Sequence, residues 1–119
     1  MKNYTSYKDL QVWKTSMKLI QDVYQISASF PDSEKFGITS QIRRASISIA
    51  NNIAEGKGRL SRLQFRYFLN IARGSACEVS NLLEICKNLK LISQEQFDHL
   101  DKETDRISAM LYNLYFHLK

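Results

Sequence analysis

A single proline, Pro31, and four glycines are all that interrupt 119 residues, and between them apolar side chains recur every three or four positions in four long runs. Sheets need frequent turns, and turns need those breakers, so their scarcity predicts few, long helices. Ser6 followed by Asp9 makes a capping pair, and Pro31 stops the chain soon after, which places a first helix over about 6–29. Its seam reads Leu10, Trp13, Met17, Ile20 and Tyr24, with Val12, Leu19, Val23, Ile26 and Phe30 widening the apolar arc.

After the turn at Pro31-Asp32-Ser33, Thr39 is the expected N-cap of a second helix that ends at Gly56 in a left-handed cap. Ile38, Ile42, Ala45, Ile49 and Ile53 form its inner seam, while Ser46, Ser48, Ala50 and Ala54 leave room for a close neighbour. Ser61 with Gln64 caps a third helix reaching about Leu89, with a core of Phe65, Phe68, Ala72, Val79, Leu83 and Cys86. Tyr67, Ile71 and Ile85 fall beside that core. Ser93 with Gln96 opens a fourth, whose heptad is Phe97, Leu100, Thr104, Ile107, Leu111, Leu114 and Leu118; Tyr112 and Phe116 point away from it. The expected fold is all-α: one domain over 1–119, an antiparallel up-down-up-down four-helix bundle. Apolar faces left over on the first, third and fourth helices are best explained by self-association, the alternative being a wide monomer core with a few exposed aromatics.

No membrane-spanning run occurs, and the short polar start, Met1 to Ser6, lacks the apolar segment of a signal peptide. Cys77 and Cys86 lie about 13 Å apart along one helix, too far for a disulfide, and are expected to be reduced and buried. Together these features predict a cytoplasmic protein without membrane contact.

Charge is unevenly spread. Between Arg43 and Arg73 stand Arg43, Arg44, Lys57, Arg59, Arg62, Arg66 and Arg73 against one acid, Glu55. From Leu91 onward, Glu95, Asp98, Asp101, Glu103 and Asp105 outnumber Lys102, Arg106 and Lys119. On a helical wheel Arg62, Arg66 and Arg73 fall within ~40° of one another, with Lys87 near the same line. Such a stripe suits phosphate oxygens of RNA or DNA, and Tyr67 beside it suits an unpaired base. A solvated face paired with acids of a neighbouring helix or subunit accounts for the same pattern, and the charges alone leave the two open.

Other polar residues read as structural. Asn52 needs a hydrogen-bond partner on a neighbouring helix, and Arg44 with Glu78 suits an inter-helix ion pair. His99 and His117 lack metal-ligand spacing, the Glu-x-x-His pairs of di-iron bundles are missing, and Gly56-x-Gly58 lacks the rest of a dinucleotide loop. Ser75 and Cys77 have no evident histidine base. No catalytic residue, metal or cofactor is therefore expected, and the chain does not read as an enzyme.

Gln41-Ile42-Arg43-Arg44-Ala45, Asn52-Ile53-Ala54-Glu55-Gly56 and Gly74-Ser75, with Leu10-x-x-Trp13 near the start, resemble the bacterial four-helix-bundle family of 23S rRNA intervening-sequence proteins in order and approximate spacing. The likeness spans nearly the whole chain. It implies a left-handed four-helix bundle assembled as a ring-like homopentamer, from genes often found inside insertions of 23S ribosomal RNA genes, with no assigned reaction. A related branch serves as the accessory protein of diversity-generating retroelements, where the pentamer is understood to bind a reverse transcriptase and nucleic acid. Of the candidate arginines only Arg43 and Arg44 lie in the matching motifs. Two readings follow. One is an oligomeric RNA- or DNA-binding accessory protein using the seven cations named above; the other is a scaffold that recruits a protein partner through its apolar outer faces.

Overall fold

The computed structural model describes residues 6–118, so the expectation for Met1 to Thr5 lies outside the described residues. Four helices follow in order: α1, Gln11–Ser27; α2, Ile38–Gly58; α3, Arg62–Asn88; and α4, Gln94–His117. No strand occurs among the described residues. The longest helix, α3, has 27 residues, or about 40 Å at 1.5 Å per residue. The long axis of the molecule is 48 Å.

Contacts across the seams fix the direction of the helices. Along α3 and α4, Arg66 meets Tyr115, Arg73 meets Ser108, Ser80 meets Asp101 and Lys87 meets Phe97, so one number rises as the other falls. Gly56 against Phe65 and Phe68, and Ser48 against Ser75, show the same opposition between α2 and α3. Arg43 on α2 reaches Ser27 at the end of α1. Consecutive helices therefore run antiparallel, and α1 packs on α4 to close the bundle. The core fills its centre, with Leu19, Ile49, Ile53, Leu69, Leu83, Leu100, Ile107 and Leu111 fully buried; each such side chain contributes about 1.5–3 kcal/mol.

The seams of α2 and α4 lie where their spacing places them. Around α1 the structure differs. The Ser6–Asp9 capping box forms, but it opens a 3-10 turn, Tyr7–Asp9, and α1 starts only after an extended Leu10. The buried line of α1 is Val12, Ser16, Leu19 and Val23, and Trp13, Met17 and Ile20 lie half-buried beside it. Hydroxyls made this possible: Ser16 and Ser27 donate to the carbonyls of Val12 and Val23, so small polar residues enter the core with their hydrogen bonds satisfied.

Helix ends bring further corrections. Gly37, not Thr39, precedes α2, and Thr39 is buried in its first turn. Gly56 is not a left-handed cap, because α2 continues to Gly58 and no described glycine has positive φ. Its role is close approach: an added Cβ would lie 2.7 Å from Phe68 Cβ and 3.1 Å from Phe65 Cδ1. The left-handed residue is Lys90, at φ 62°. After α3, Leu91 N donates to Cys86 O at 2.9 Å and Lys90 N to Lys87 O at 3.0 Å, the paired bonds of a Schellman ending. Glycine fits that backbone without a Cβ penalty, so Lys90→Gly is expected to raise stability by about 1 kcal/mol in urea unfolding.

Candidate nucleic-acid interface

The antiparallel register of α3 and α4 brings two acid-free stretches together. No Asp or Glu occurs from Arg59 to Cys77, nor from Arg106 to Leu118. The first half of α3 therefore faces the last half of α4 as an end of the bundle carrying Arg62, Arg66 and Arg73, while Arg106, at the inner edge of that stretch, pairs with Glu103 at 3.9 Å. Glu78, Glu84, Glu95, Asp98, Asp101 and Glu103 lie toward the opposite end. The first turn of α3 holds no acid. Cations there oppose the positive end of the helix dipole, a charge sign that costs stability and favours an anion.

Within this surface the arginines are interleaved with aromatic rings. The Arg66 guanidinium stacks 4.2 Å from the Tyr115 ring centroid, and its Nε donates to the Tyr115 carbonyl at 3.2 Å. That carbonyl is in the last turn of α4, so Arg66 helps to cap the helix. Arg73 lies 5.3 Å from the Tyr112 ring, with its Nε 3.4 Å from the Ser108 carbonyl. Leu63, Arg66, Tyr67, Asn70 and Tyr115 line one shallow notch. Its neighbour, lined by Arg73, Tyr112 and Phe116, shares Asn70 and Tyr115 with it, so the two form a continuous trough.

The other candidate cations separate into groups. Lys57 lies over Phe65 and Arg59 over Phe68, at the corner where α2 meets α3. Arg59 is also paired with Glu55 at 2.8 Å. Arg43 belongs elsewhere: it stacks on Tyr24 and donates through Nε to Ser27 Oγ at 2.8 Å, holding α2 to α1. Arg44 is exposed in the same half of α2, and it makes no ion pair with Glu78. The trough thus gathers Arg66 and Arg73; Arg62 stands one turn before Arg66 on the same stripe without lining it, and Arg43 and Arg44 lie apart from it. Sequence spacing found the stripe on α3. The rings of Tyr112 and Tyr115 escaped it, because they reach the stripe only through the register between helices.

Elsewhere the polar groups are structural. Asn52 donates to the Ser48 carbonyl and hydroxyl on its own helix, and the cross-helix link is Ser48 Oγ to Ser75 Oγ at 2.8 Å. Buried Asp22 pairs with Lys18 at 2.8 Å, which raises the Lys18 pKa through that hydrogen bond, and faces His99 Nε2 at 3.4 Å. Cys86 is buried, which pushes its thiol up to about 11, whereas Cys77 is exposed rather than buried. Among the described residues no three His, Cys, Asp or Glu side chains gather to hold a metal ion, and no helix is long and apolar enough to cross a membrane.

Comparison with known proteins places this architecture. The family model described as 23S rRNA-intervening sequence protein matches residues 8–113. The chain belongs to that family. It is similar in structure to a protein of unknown function from the S23 ribosomal protein family of Bacteroides thetaiotaomicron VPI-5482, solved by crystallography at 1.70 Å. The two share 27% identity at a TM-score of 0.81, over 87% of this chain and 94% of the other. No curated protein matches the chain. As a member of this family, it has the four-helix fold expected from its sequence, and the trough lies on the α3–α4 seam, with Tyr115 and Phe116 just beyond the matched residues.

Proposed function

We propose that this 23S rRNA-intervening sequence protein is a non-enzymatic RNA-binding accessory protein that works as an oligomer and grips RNA at the acid-free end of the α3–α4 seam. One observation carries this reading: two stretches without a carboxylate face each other, and their arginines alternate with aromatic rings. A solvated face of paired charges would place acids across the seam. Here the partners of Arg66 and Arg73 are rings and carbonyls, which leave the positive charge uncompensated. Arginines held in this way lose little further side-chain freedom on meeting phosphate, and each contact releases a counterion. With about four phosphates engaged, the logarithm of the affinity for a structured RNA should fall against the logarithm of salt concentration with a slope of about −3. Fluorescence anisotropy across a salt series measures it, and binding that is absent or insensitive to salt rejects the reading.

Self-association is supported by a different surface. Tyr7, Trp13, Met17 and Ile20 form, with Ile47, Ala50 and Ala54 of α2, an open groove between α1 and α2 that is mostly apolar. Covering that groove with a second copy buries it, and the family resemblance implies a ring of five. Light scattering at micromolar concentration should give a multiple of the 13.8 kDa chain mass; a value of 13.8 kDa would contradict it.

A further inference from the structure

We propose that the notch between Tyr67 and Tyr115 takes an unpaired base of a single RNA strand, with Arg66 and Arg73 holding the phosphates on either side of it. This deepens the RNA-binding reading and rests on it. A duplex keeps its bases stacked inside and offers a protein mainly phosphates and sugar hydroxyls, for which a row of cations suffices. The surface here has more than cations. Tyr67 is 62% exposed and Leu63 is 73% exposed, both on the outward side of α3, and neither supports the core. The edge contact of Tyr67 with Phe68, at 5.3 Å between centroids, sets the attitude of its ring.

Asn70 stands one turn farther along the same face and lines the notch. Its amide carries both donors and an acceptor, the two functions a base edge requires. Beside it the backbone at Gly74 is open, with nothing within 4 Å of where a Cβ would be, so a ligand can approach the helix closely. Arg66 is oriented by Tyr115 through ring and carbonyl, and its terminal nitrogens have no hydrogen-bond partner among the described residues. From Leu63 to Arg73 the trough runs about 15 Å along α3, room for a short run of nucleotides. An acidic peptide would satisfy the arginines and leave the rings idle. Alternating phosphates and bases use both.

The test is anisotropy with a short labelled uridine oligomer, an RNA duplex of the same length and inorganic polyphosphate as competitor, on the full chain. Tyr67→Ala should weaken the single strand by about tenfold or more while changing duplex affinity by less than about twofold, and Tyr67→Trp should retain wild-type binding. Circular dichroism and thermal midpoint should stay at wild-type values in both variants, since the ring lies outside the core. Equal loss for both RNAs, or no loss for either, overturns the base-binding notch while salt-sensitive binding by the wild type still supports the broader reading. Polyphosphate that displaces the oligomer at equal phosphate concentration also overturns it, because the bases would then add nothing. A uracil DNA oligomer bound tenfold more tightly would overturn the choice of RNA. A wild-type protein that binds none of these probes at low salt overturns both readings.

Discussion

Gly56→Ala is expected to lower the unfolding free energy by about 2 kcal/mol, although alanine is the better helix former by about 1 kcal/mol. The reason lies in the closest approach between α2 and α3, the most extensively packed pair of helices in the bundle. The added methyl would stand 2.7 Å from Phe68 Cβ and 3.3 Å from the Phe65 carbonyl oxygen. Neither atom is the free end of a flexible side chain, so the helices must separate, and close-packed interiors resist that. In a chain of 119 residues the change should appear as a fall in thermal midpoint of about 8–12 °C. Gly58→Ala supplies the control, because nothing lies within 4 Å of its Cβ position and only the propensity gain of about 0.5–1 kcal/mol remains. Equal destabilisation by the two substitutions would remove the close-approach account of Gly56.

This glycine also marks where sequence pattern stops being informative. Gly56 followed by Gly58 looks like the end of a helix, and the sequence contains nothing about what the next helix presses against it. The same limit governs Lys90, whose left-handed backbone is imposed by the Schellman bonds rather than by its own side chain. Periodicity worked well where a seam is made of large aliphatic residues. Ile42, Ala45, Ile49 and Ile53 of α2, and Leu100, Ile107 and Leu111 of α4, are buried as their spacing requires. It misplaced the seam of α1 because four of the seven residues buried there are Thr15, Ser16, Asp22 and Ser27, which a hydropathy pattern assigns to water. Their burial is tolerated because Ser16 and Ser27 bond their own helix and Asp22 takes Lys18.

The candidate site was legible to the same depth. Arg62, Arg66 and Arg73 share one line on α3 by spacing alone, whereas Tyr67, expected beside the core, is largely exposed. What turns the line into a trough is tertiary: antiparallel register sets Tyr115 against Arg66 and Tyr112 near Arg73. Register also aligns one acid-free stretch with another, which no single helix reveals. Arg43 and Arg44 are near neighbours of the stripe in sequence, but lie in the half of α2 that packs beside the C-terminal half of α3. They are separated from the trough for the same reason that the trough exists.

Charge reversal at Arg66 and Arg73 tests the central claim most directly. Each substitution removes a counterion-releasing contact and adds a repulsive charge, so Arg66→Glu with Arg73→Glu should weaken structured RNA by about 100-fold or more and cut the salt slope by about two. Both side chains also stack on α4, and losing those contacts costs about 0.5–1 kcal/mol each in stability. Binding is therefore measured only at temperatures where circular dichroism shows the variant fully folded. Arg44→Glu makes the comparison: it reverses a single arginine outside the trough, half the charge change of the double variant, and is expected to shift affinity by less than about threefold. In anisotropy across a salt series, the double reversal should weaken binding and flatten its salt dependence to a slope of about −1, while Arg44→Glu retains the wild-type slope. Wild-type affinity and slope in the folded double variant would contradict the account.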